Sequence, residues 1–317
     1  METNLPTERA AGDIVRRHLG REPLRVTRFP TGLANYVYDV AMGGGEHVVV
    51  RLAPAGDGAR FAGAVYWHGR LVPLGVPLPG LLCHDAAPAG DSFPFMIIEH
   101  LPGRDLEFAY PALAAVQKRD LARRIVAIQR AAATLPPGPG FGYALSYDDR
   151  LHPTWTALLE ADLERNRRRI QEAALVDVRV IEPVQAKLRT YMPYLGRVTP
   201  RAFLDDTTTK NVLMHKGQLS GIVDVDVVCF GDPLFTPALT QMALLSRGYD
   251  TTYIQYWCEE LALGAAQRRV LALYTALCCI GFLTELGRQF NRDAPQPIEE
   301  GAGQRLVGIL DEVLVGC

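Results

Sequence analysis

The sequence predicts an α+β protein of two unequal lobes: a small antiparallel β-rich lobe over residues 1–101 and a larger helical lobe over residues 102–317. Three observations carry this. Short runs of β-branched and aromatic residues, bounded by Gly and Pro, crowd the first part of the chain. Apolar residues spaced three and four apart dominate after Tyr110. Between the two patterns, Glu99-His100-Leu101-Pro102-Gly103 reads as a connecting turn. A cleft between such lobes is the default place for a ligand.

Taken in order, Thr7 to Leu19 has helical spacing, with Thr7 as a start signal and Gly20 as a stop. Leu24–Phe29, Tyr36–Met42 and His47–Leu52 read as antiparallel strands, the second and third joined by Gly43-Gly44-Gly45. Arg60–Leu74 reads as a helix, and Leu81–Cys83 and Phe95–Ile98 as two more strands of the same sheet. Helices follow at Leu121–Leu135, Trp155–Ala174 and Val180–Met192, with Pro136 to Gly142 as a loop. Beyond a hairpin, further helices are predicted at Thr236–Leu245, Thr251–Leu263, Gln267–Gly287 and Gln304–Val315.

Composition narrows the function classes. A chain of 317 residues with 48% apolar content can bury a sizeable core. A net charge of −2 with no basic tail argues against nucleic-acid or anionic-membrane partners. The six cysteines form no CxxC pair and no zinc-spaced cluster, so reduced, mostly buried thiols are expected. The N-terminus lacks the apolar core of a signal peptide, and the run Val270–Leu283 falls short of the roughly 20 residues that span a bilayer. A cytoplasmic protein is the expectation; the sequence says nothing of its oligomeric state.

The chemistry concentrates in Phe203–Asp232, FLDDTTTKNVLMHKGQLSGIVDVDVVCFGD. Apolar runs on either side of His215-Lys216-Gly217 read as a hairpin. If Val212–Met214 pairs with Leu219–Val223, Asn211 and Asp224 stand at neighbouring strand ends, with Asp206 in the loop before them. A carboxylate, an amide oxygen and a second carboxylate are then gathered together. Such hard oxygen donors suit Mg²⁺ and can orient a hydroxyl. No GxxxxGK[ST], HExxH or GxSxG motif offers a rival chemistry.

At these residues the chain resembles the aminoglycoside phosphotransferase family, within the broader protein-kinase-like fold. Leu204-Asp205-Asp206-Thr207-Thr208-Thr209-Lys210-Asn211 is similar to its catalytic loop, Ile222-Val223-Asp224 to the hairpin end, and Gly231-Asp232-Pro233 to a further signature. The resemblance implies phosphoryl transfer from ATP or GTP to a small-molecule hydroxyl, with Mg²⁺ as cofactor. It assigns Asp206 to orienting the hydroxyl and accepting its proton, and Asn211 and Asp224 to the metal. Phe29–Tyr36 takes the place of the phosphate-covering loop, which puts Thr31, Gly32 and Asn35 near the nucleotide. Arg51 falls where protein kinases carry the strand lysine, and backbone groups near Glu99 and Leu101 fall where adenine is bound. Asp205 reads as a loop acceptor and Asp226 as an auxiliary metal or substrate contact.

The chain departs from the family in three places. Leu204 replaces the loop histidine. The acid that follows Gly-Asp-Pro is replaced around Phe235-Thr236. The helix after Arg51 carries no glutamate to pair with that cation. The acceptor stays open among aminoglycosides, other hydroxylated antibiotics, sugars, choline-like alcohols and homoserine-like metabolites. Asp250, Glu259, Glu260, Glu285, Glu299 and Glu300 are candidate contacts for a cationic acceptor, although helical acids more often face water. Tyr249, Tyr253, Tyr256, Trp257 and Phe290 could shape its pocket, although at helical spacing they are more often core. The missing glutamate keeps a second reading open, a catalytically impaired protein of the same fold that binds nucleotide as a sensor or scaffold.

Overall fold

The computed structural model describes residues 5–29, 35–89, 92–288 and 299–317. Helix α1, Glu8–Leu19, starts where Thr7 caps it by accepting the Ala10 N–H at 3.2 Å, and ends at left-handed Gly20. Strands β1 (Pro23–Arg28), β2 (Tyr36–Met42) and β3 (His47–Leu52) follow, then helix α2 (Ala59–Leu71) and strands β4 (Leu81–Asp85) and β5 (Phe95–Glu99). The strands form one five-stranded antiparallel sheet in the order β1-β2-β3-β5-β4. Alternate residues of β2 (Tyr36, Tyr38, Val40 and Met42) are buried and share a core with Ala11, Ile14 and Val15 of α1.

The helical lobe continues through β6 (Arg104–Asp105), α3 (Leu106–Ala109), α4 (Ala115–Ala132), β7 (Gly142–Ala144), α5 (Trp155–Ala173), α6 (Ile181–Thr190), α7 (Met192–Leu195) and β8 (Arg201–Phe203). The hairpin β9 (Val212–His215) and β10 (Gln218–Ile222) comes next, then β11 (Val228–Gly231), α8 (Phe235–Ser246), α9 (Thr252–Glu260), α10 (Ala265–Glu285) and α11 (Ala302–Val315). Two small sheets, β10-β9-β6 and β7-β11-β8, lie among these helices. Gly103 approaches the first of them closely: a Cβ there would stand 2.4 Å from the Met214 carbonyl oxygen, and its φ of 121° suits glycine alone.

The sequence reading missed β6, β7, β8 and β11. Each is four residues or fewer, too short to display a period of two. The helix expected over Val180–Met192 is broken at Tyr191 into α6 and α7, with Pro193 in the first turn of α7. Helix α4 begins at Ala115, ahead of the expected Leu121, and the Gln117 side chain accepts the Ala114 N–H at its start. Helix α10 extends beyond the apolar run at both ends and is long and apolar enough to cross a membrane by length and composition, yet 61% of its most apolar window is buried inside the fold. All six cysteines are free thiols.

Helix α2 bridges two cores. Phe61 and Ala64 pack under the sheet with Met96 and Ile98, whereas Trp67 and Leu71 join the large helical core. The Trp67 indole N–H donates to the Ala144 carbonyl at 2.7 Å. The small lobe is thus pinned to the large one by its own helix, beside the cleft.

Candidate active site

The hairpin gathers the site as its spacing predicts. Ile222 pairs with Val212, and the Val223 N–H donates to the Asn211 carbonyl at 2.9 Å, which sets Asn211 beside Val223-Asp224. The Asn211 side-chain amide donates to the Asp206 carbonyl at 3.0 Å. That bond turns the nitrogen of the amide to the loop. Asp224 has φ of 61°, a left-handed conformation that few non-glycine residues adopt. Such conformations concentrate at functional sites. The Thr208 hydroxyl donates to the Asp206 carboxylate at 2.9 Å and fixes its orientation.

Asp206, Asp224, Asp226, Asp205, Tyr143 and Arg60 line one cavity of about 350 Å³. The Asp206 side chain is open to this cavity but hemmed in by protein on its other sides. That burial, then the charge of Asp224, pushes its carboxyl up to about 6, against the hydrogen bonds from Thr208 and Asn211. Burial, then the neighbouring Asp206, pushes the Asp205 carboxyl up to about 7. Carboxyls raised towards neutrality beside a cavity are the kind a proton-accepting site uses.

The loop that carries Asp206 is held from behind by a residue the sequence reading did not single out. Gln129 of α4, buried, donates to the Leu204 carbonyl at 2.8 Å, while its own amide oxygen accepts the Leu204 N–H at 3.0 Å. The Thr236 hydroxyl also donates to the Leu204 carbonyl, at 3.1 Å. Two of the departures from the family pattern thereby meet. Leu204 fills the histidine position with an apolar side chain, and Thr236, where an acid is usual, reaches the same backbone group. Asp232 of the Gly-Asp-Pro signature is buried away from the cavity, where it accepts hydrogen bonds from the Tyr194 and Tyr274 hydroxyls at 2.8 and 2.9 Å. It holds β11 to the helices.

Arg51 behaves differently from the expectation. The expected partner, a glutamate on α2, is absent, but the cation is not left without an anchor. Its guanidinium donates to both carboxylate oxygens of Asp226 at 2.8 Å and to one oxygen of Asp224 at 2.5 Å. Burial opposes its charge, and the carboxylates of Asp226 and Asp224 more than offset that, so its pKa is raised. Both oxygens of Asp226, the expected auxiliary metal or substrate contact, are taken by Arg51. Arg60, at the first turn of α2, also lines the cavity. The sequence reading placed it in the helix without assigning it to the site.

The remaining candidates fall as follows. Thr31 and Gly32 lie outside the described residues, and Asn35 is buried at the entry to β2. The Glu99 N–H donates to the Gly80 carbonyl at 2.8 Å, and its carboxylate accepts the Gly80 N–H at 3.2 Å. The Glu99 N–H is therefore already taken and is not offered to a base. Leu101 packs on β10, where its Cδ1 lies 2.4 Å from the position a Cβ on Gly221 would take. Among the candidate acceptor contacts, Asp250 pairs with Lys118 at 2.7 Å, Glu259 with Arg119 at 2.9 Å and Glu299 with Arg305 at 3.0 Å. Tyr253 and Trp257 are buried core. Phe290 lies outside the described residues.

The donor set fits Mg²⁺ of the kind that bridges phosphates. Among the described residues no group of three or more His, Cys, Asp or Glu is placed to hold a metal. Mg²⁺ at nucleotide sites takes one or two protein oxygens and completes its shell with phosphate and water. One oxygen each from Asn211 and Asp224 matches that pattern, and the Asp224 side chain is 45% exposed, open to the cavity.

The model of the phosphotransferase enzyme family matches residues 25–273. No curated protein matches the chain. Among solved structures, the GDP complex of wild-type aminoglycoside 2'-phosphotransferase-IIIa is 16% identical with a TM-score of 0.69, the match covering 98% of this chain and 99% of that one. A thermostable mutant of aminoglycoside phosphotransferase APH(4)-Ia, in complex with ADP and hygromycin B, is 16% identical with a TM-score of 0.68 and coverage of 97% and 98%. A putative fructosamine-3-kinase from Thermobifida fusca YX-ER1 is 17% identical with a TM-score of 0.62 and coverage of 96% and 97%. These likenesses establish the bilobal kinase-like fold. With the family model matching well over half of its length, the chain belongs to the phosphotransferase enzyme family.

Proposed function

We propose that the protein is a Mg²⁺-dependent O-phosphotransferase that moves the γ-phosphoryl group of ATP or GTP to a hydroxyl of a small molecule, an aminoglycoside or related hydroxylated antibiotic being the first class to test. The observation that carries this reading is the meeting of Asp206 and Asp224 on one cavity, with Asn211 bonded to the loop of the first and beside the second. The nucleotides and the antibiotic bound by the similar structures support the same direction.

In this mechanism the acceptor hydroxyl donates a hydrogen bond to the Asp206 carboxylate. As its oxygen bonds to the γ-phosphorus, the bond from that phosphorus to the β-phosphate oxygen breaks and the hydroxyl proton passes to Asp206. Thr208 keeps the carboxylate aimed. Asn211 and Asp224 would hold Mg²⁺, which supplies charge neutralisation on the phosphates. Arg60, which lines the same cavity, adds positive charge to it, and Arg51 is held behind by Asp226 and Asp224.

The test is a transfer assay with ATP and with GTP, with and without Mg²⁺, across aminoglycosides, neutral sugars, glycated amines, choline and homoserine. Phosphorylated product from at least one acceptor, dependent on Mg²⁺, is expected. Stabilisation by nucleotide in a thermal-shift assay with no product from any acceptor would favour the sensor reading, which the acid-free helix α2 motivates.

A further inference from the structure

Helix α2 reads ARFAGAVYWHGRL and has no carboxylate to offer Arg51. The packing explains why. A Cβ on Gly63 would stand 2.5 Å from the Asp226 carbonyl oxygen and 2.6 Å from Leu145 Cδ2. At Gly63 the helix therefore rests directly on the 224–228 loop, with no room for a side chain there. Next to it, Ala64 is buried under the sheet against Phe61, Met96 and Ile98, where a carboxylate would be desolvated. The same close approach carries Asp226 up to Arg51. Both oxygens of Asp226 face the guanidinium in the bidentate arrangement that suits arginine better than lysine. The arginine face rests on the Phe61 ring, its Cζ 5.4 Å from the centroid.

Asp224 and Asp226 divide the work by exposure. The Asp226 side chain is 4% exposed and the Arg51 side chain 7%, so this pair is sealed, whereas Asp224 keeps 45% of its side chain open and gives Arg51 one oxygen. An acid with both oxygens taken by a buried cation is poorly placed to take a metal as well; an acid with an oxygen open to the cavity is well placed.

We propose that Asp226 is the positioning residue for Arg51: an anchor supplied by the large lobe in place of the helix glutamate, so that the buried cation of the sheet is oriented by the same loop that carries the metal candidate Asp224. The inference rests on the phosphotransferase reading for what Arg51 grips, and on geometry alone for the anchor. It makes closure of the helix onto the loop and orientation of Arg51 a single event.

The test compares wild type with Asp226→Asn, Asp226→Glu, Arg51→Met and the double variant Arg51→Met/Asp226→Leu. Nucleotide affinity is titrated with a fluorescent ATP analogue, and KM for nucleotide, KM for acceptor, kcat and the Mg²⁺ half-saturation are measured at saturating partner concentrations. Asp226→Asn is expected to weaken nucleotide binding about tenfold to hundredfold, the scale of lost charge-assisted bonds, with acceptor KM and Mg²⁺ half-saturation unchanged. Asp226→Glu is expected to recover part of the loss. In nucleotide-free protein, Asp226→Asn is expected to speed amide hydrogen exchange in α2. Should Asp226→Asn fail to fold, the double variant decides, because it removes both charges and leaves neither buried alone. If Asp226 acts through Arg51, the double variant binds nucleotide as Arg51→Met does, within about twofold; a further loss means that Asp226 acts directly. Three results overturn the proposal: that further loss, a raised Mg²⁺ half-saturation in Asp226→Asn, or lowered stability with unchanged nucleotide affinity. Wild type that neither binds nucleotide nor transfers phosphate would instead defeat the phosphotransferase reading, leaving the exchange result to judge the anchor.

Discussion

The two walls of the cleft are built on opposite plans. On the large-lobe wall, Asp206, Asn211 and Asp224 lie close together in sequence. Bonds between near neighbours hold them: Thr208 to Asp206, Asn211 to the Asp206 carbonyl, Val223 to Asn211. On the small-lobe wall, Arg51 takes its partners from 173 and 175 positions away. The first wall is drawn from one stretch of chain, braced from behind by Gln129 and Thr236. The second exists only once both lobes have folded and α2 has docked. Disturbing the hairpin should therefore remove chemistry with little loss of fold, whereas disturbing the docked side should cost stability and nucleotide grip together.

Asp224→Ala should have the largest effect on the first wall. Loss of Mg²⁺-dependent nucleotide binding is expected, read by titration with and without the metal; unchanged metal dependence would remove Asp224 from its role. Gln129→Leu probes the support beneath the same wall. It strips two hydrogen bonds from buried Leu204 backbone groups and should lower stability by roughly 2–4 kcal/mol in denaturant unfolding. A fall in turnover larger than the fall in nucleotide affinity should accompany it, because the loop that carries Asp206 loses its brace.

Gly63→Ala tests the docked wall. The new methyl meets the Asp226 carbonyl backbone, so a loss of about 1–3 kcal/mol is expected, with weaker nucleotide binding as Arg51 shifts with the loop. Stability and affinity that both stay at wild-type values would show the two lobes to be less tightly joined than their contacts indicate.

The smallest effect is expected far from either wall. Burial works against the Asp250 charge, but hydrogen bonds from Lys118 and Thr252 hold its carboxyl below the ordinary range. A depressed carboxylate stabilises the fold above its unfolded pKa, near 3.9, and that contribution is lost as pH falls through the lower folded value. Asp250→Asn should therefore flatten the acid limb of a stability–pH curve below about pH 4 and leave nucleotide affinity alone. The Asp250 end of the pair is half-exposed and solvent-screened while Lys118 is buried, so the change should be modest.

The contrast between the walls also explains how much could be read from the sequence. The spacing of Asp206, Asn211 and Asp224 around a hairpin is local information, and β9 and β10 place them as that spacing predicts. The five-strand sheet was legible because its strands are runs of β-branched and aromatic residues bounded by Gly and Pro, again local information. The anchor of Arg51 was not legible. The family pattern points to a partner on α2, whereas Asp226 and Asp224 belong to the large lobe, 175 and 173 positions along the chain. Gln129 was hidden likewise, since its bonds, to the Leu204 backbone and the Thr207 hydroxyl, reach 75 and 78 positions along the chain and leave no local pattern. Short strands such as β7 and β11, which set Tyr143 and the 224–228 loop around the cavity, carry too few residues to announce a period.

The central claim is that Asp206 receives the acceptor proton while the rest of the cleft holds nucleotide. Asp206→Asn preserves the shape of the side chain and removes its charge. With an acceptor identified, rapid-quench measurement of a single turnover is expected to show phosphoryl transfer slowed by ~10²–10⁴, with nucleotide affinity retained. Transfer at the wild-type rate by that variant would contradict the account.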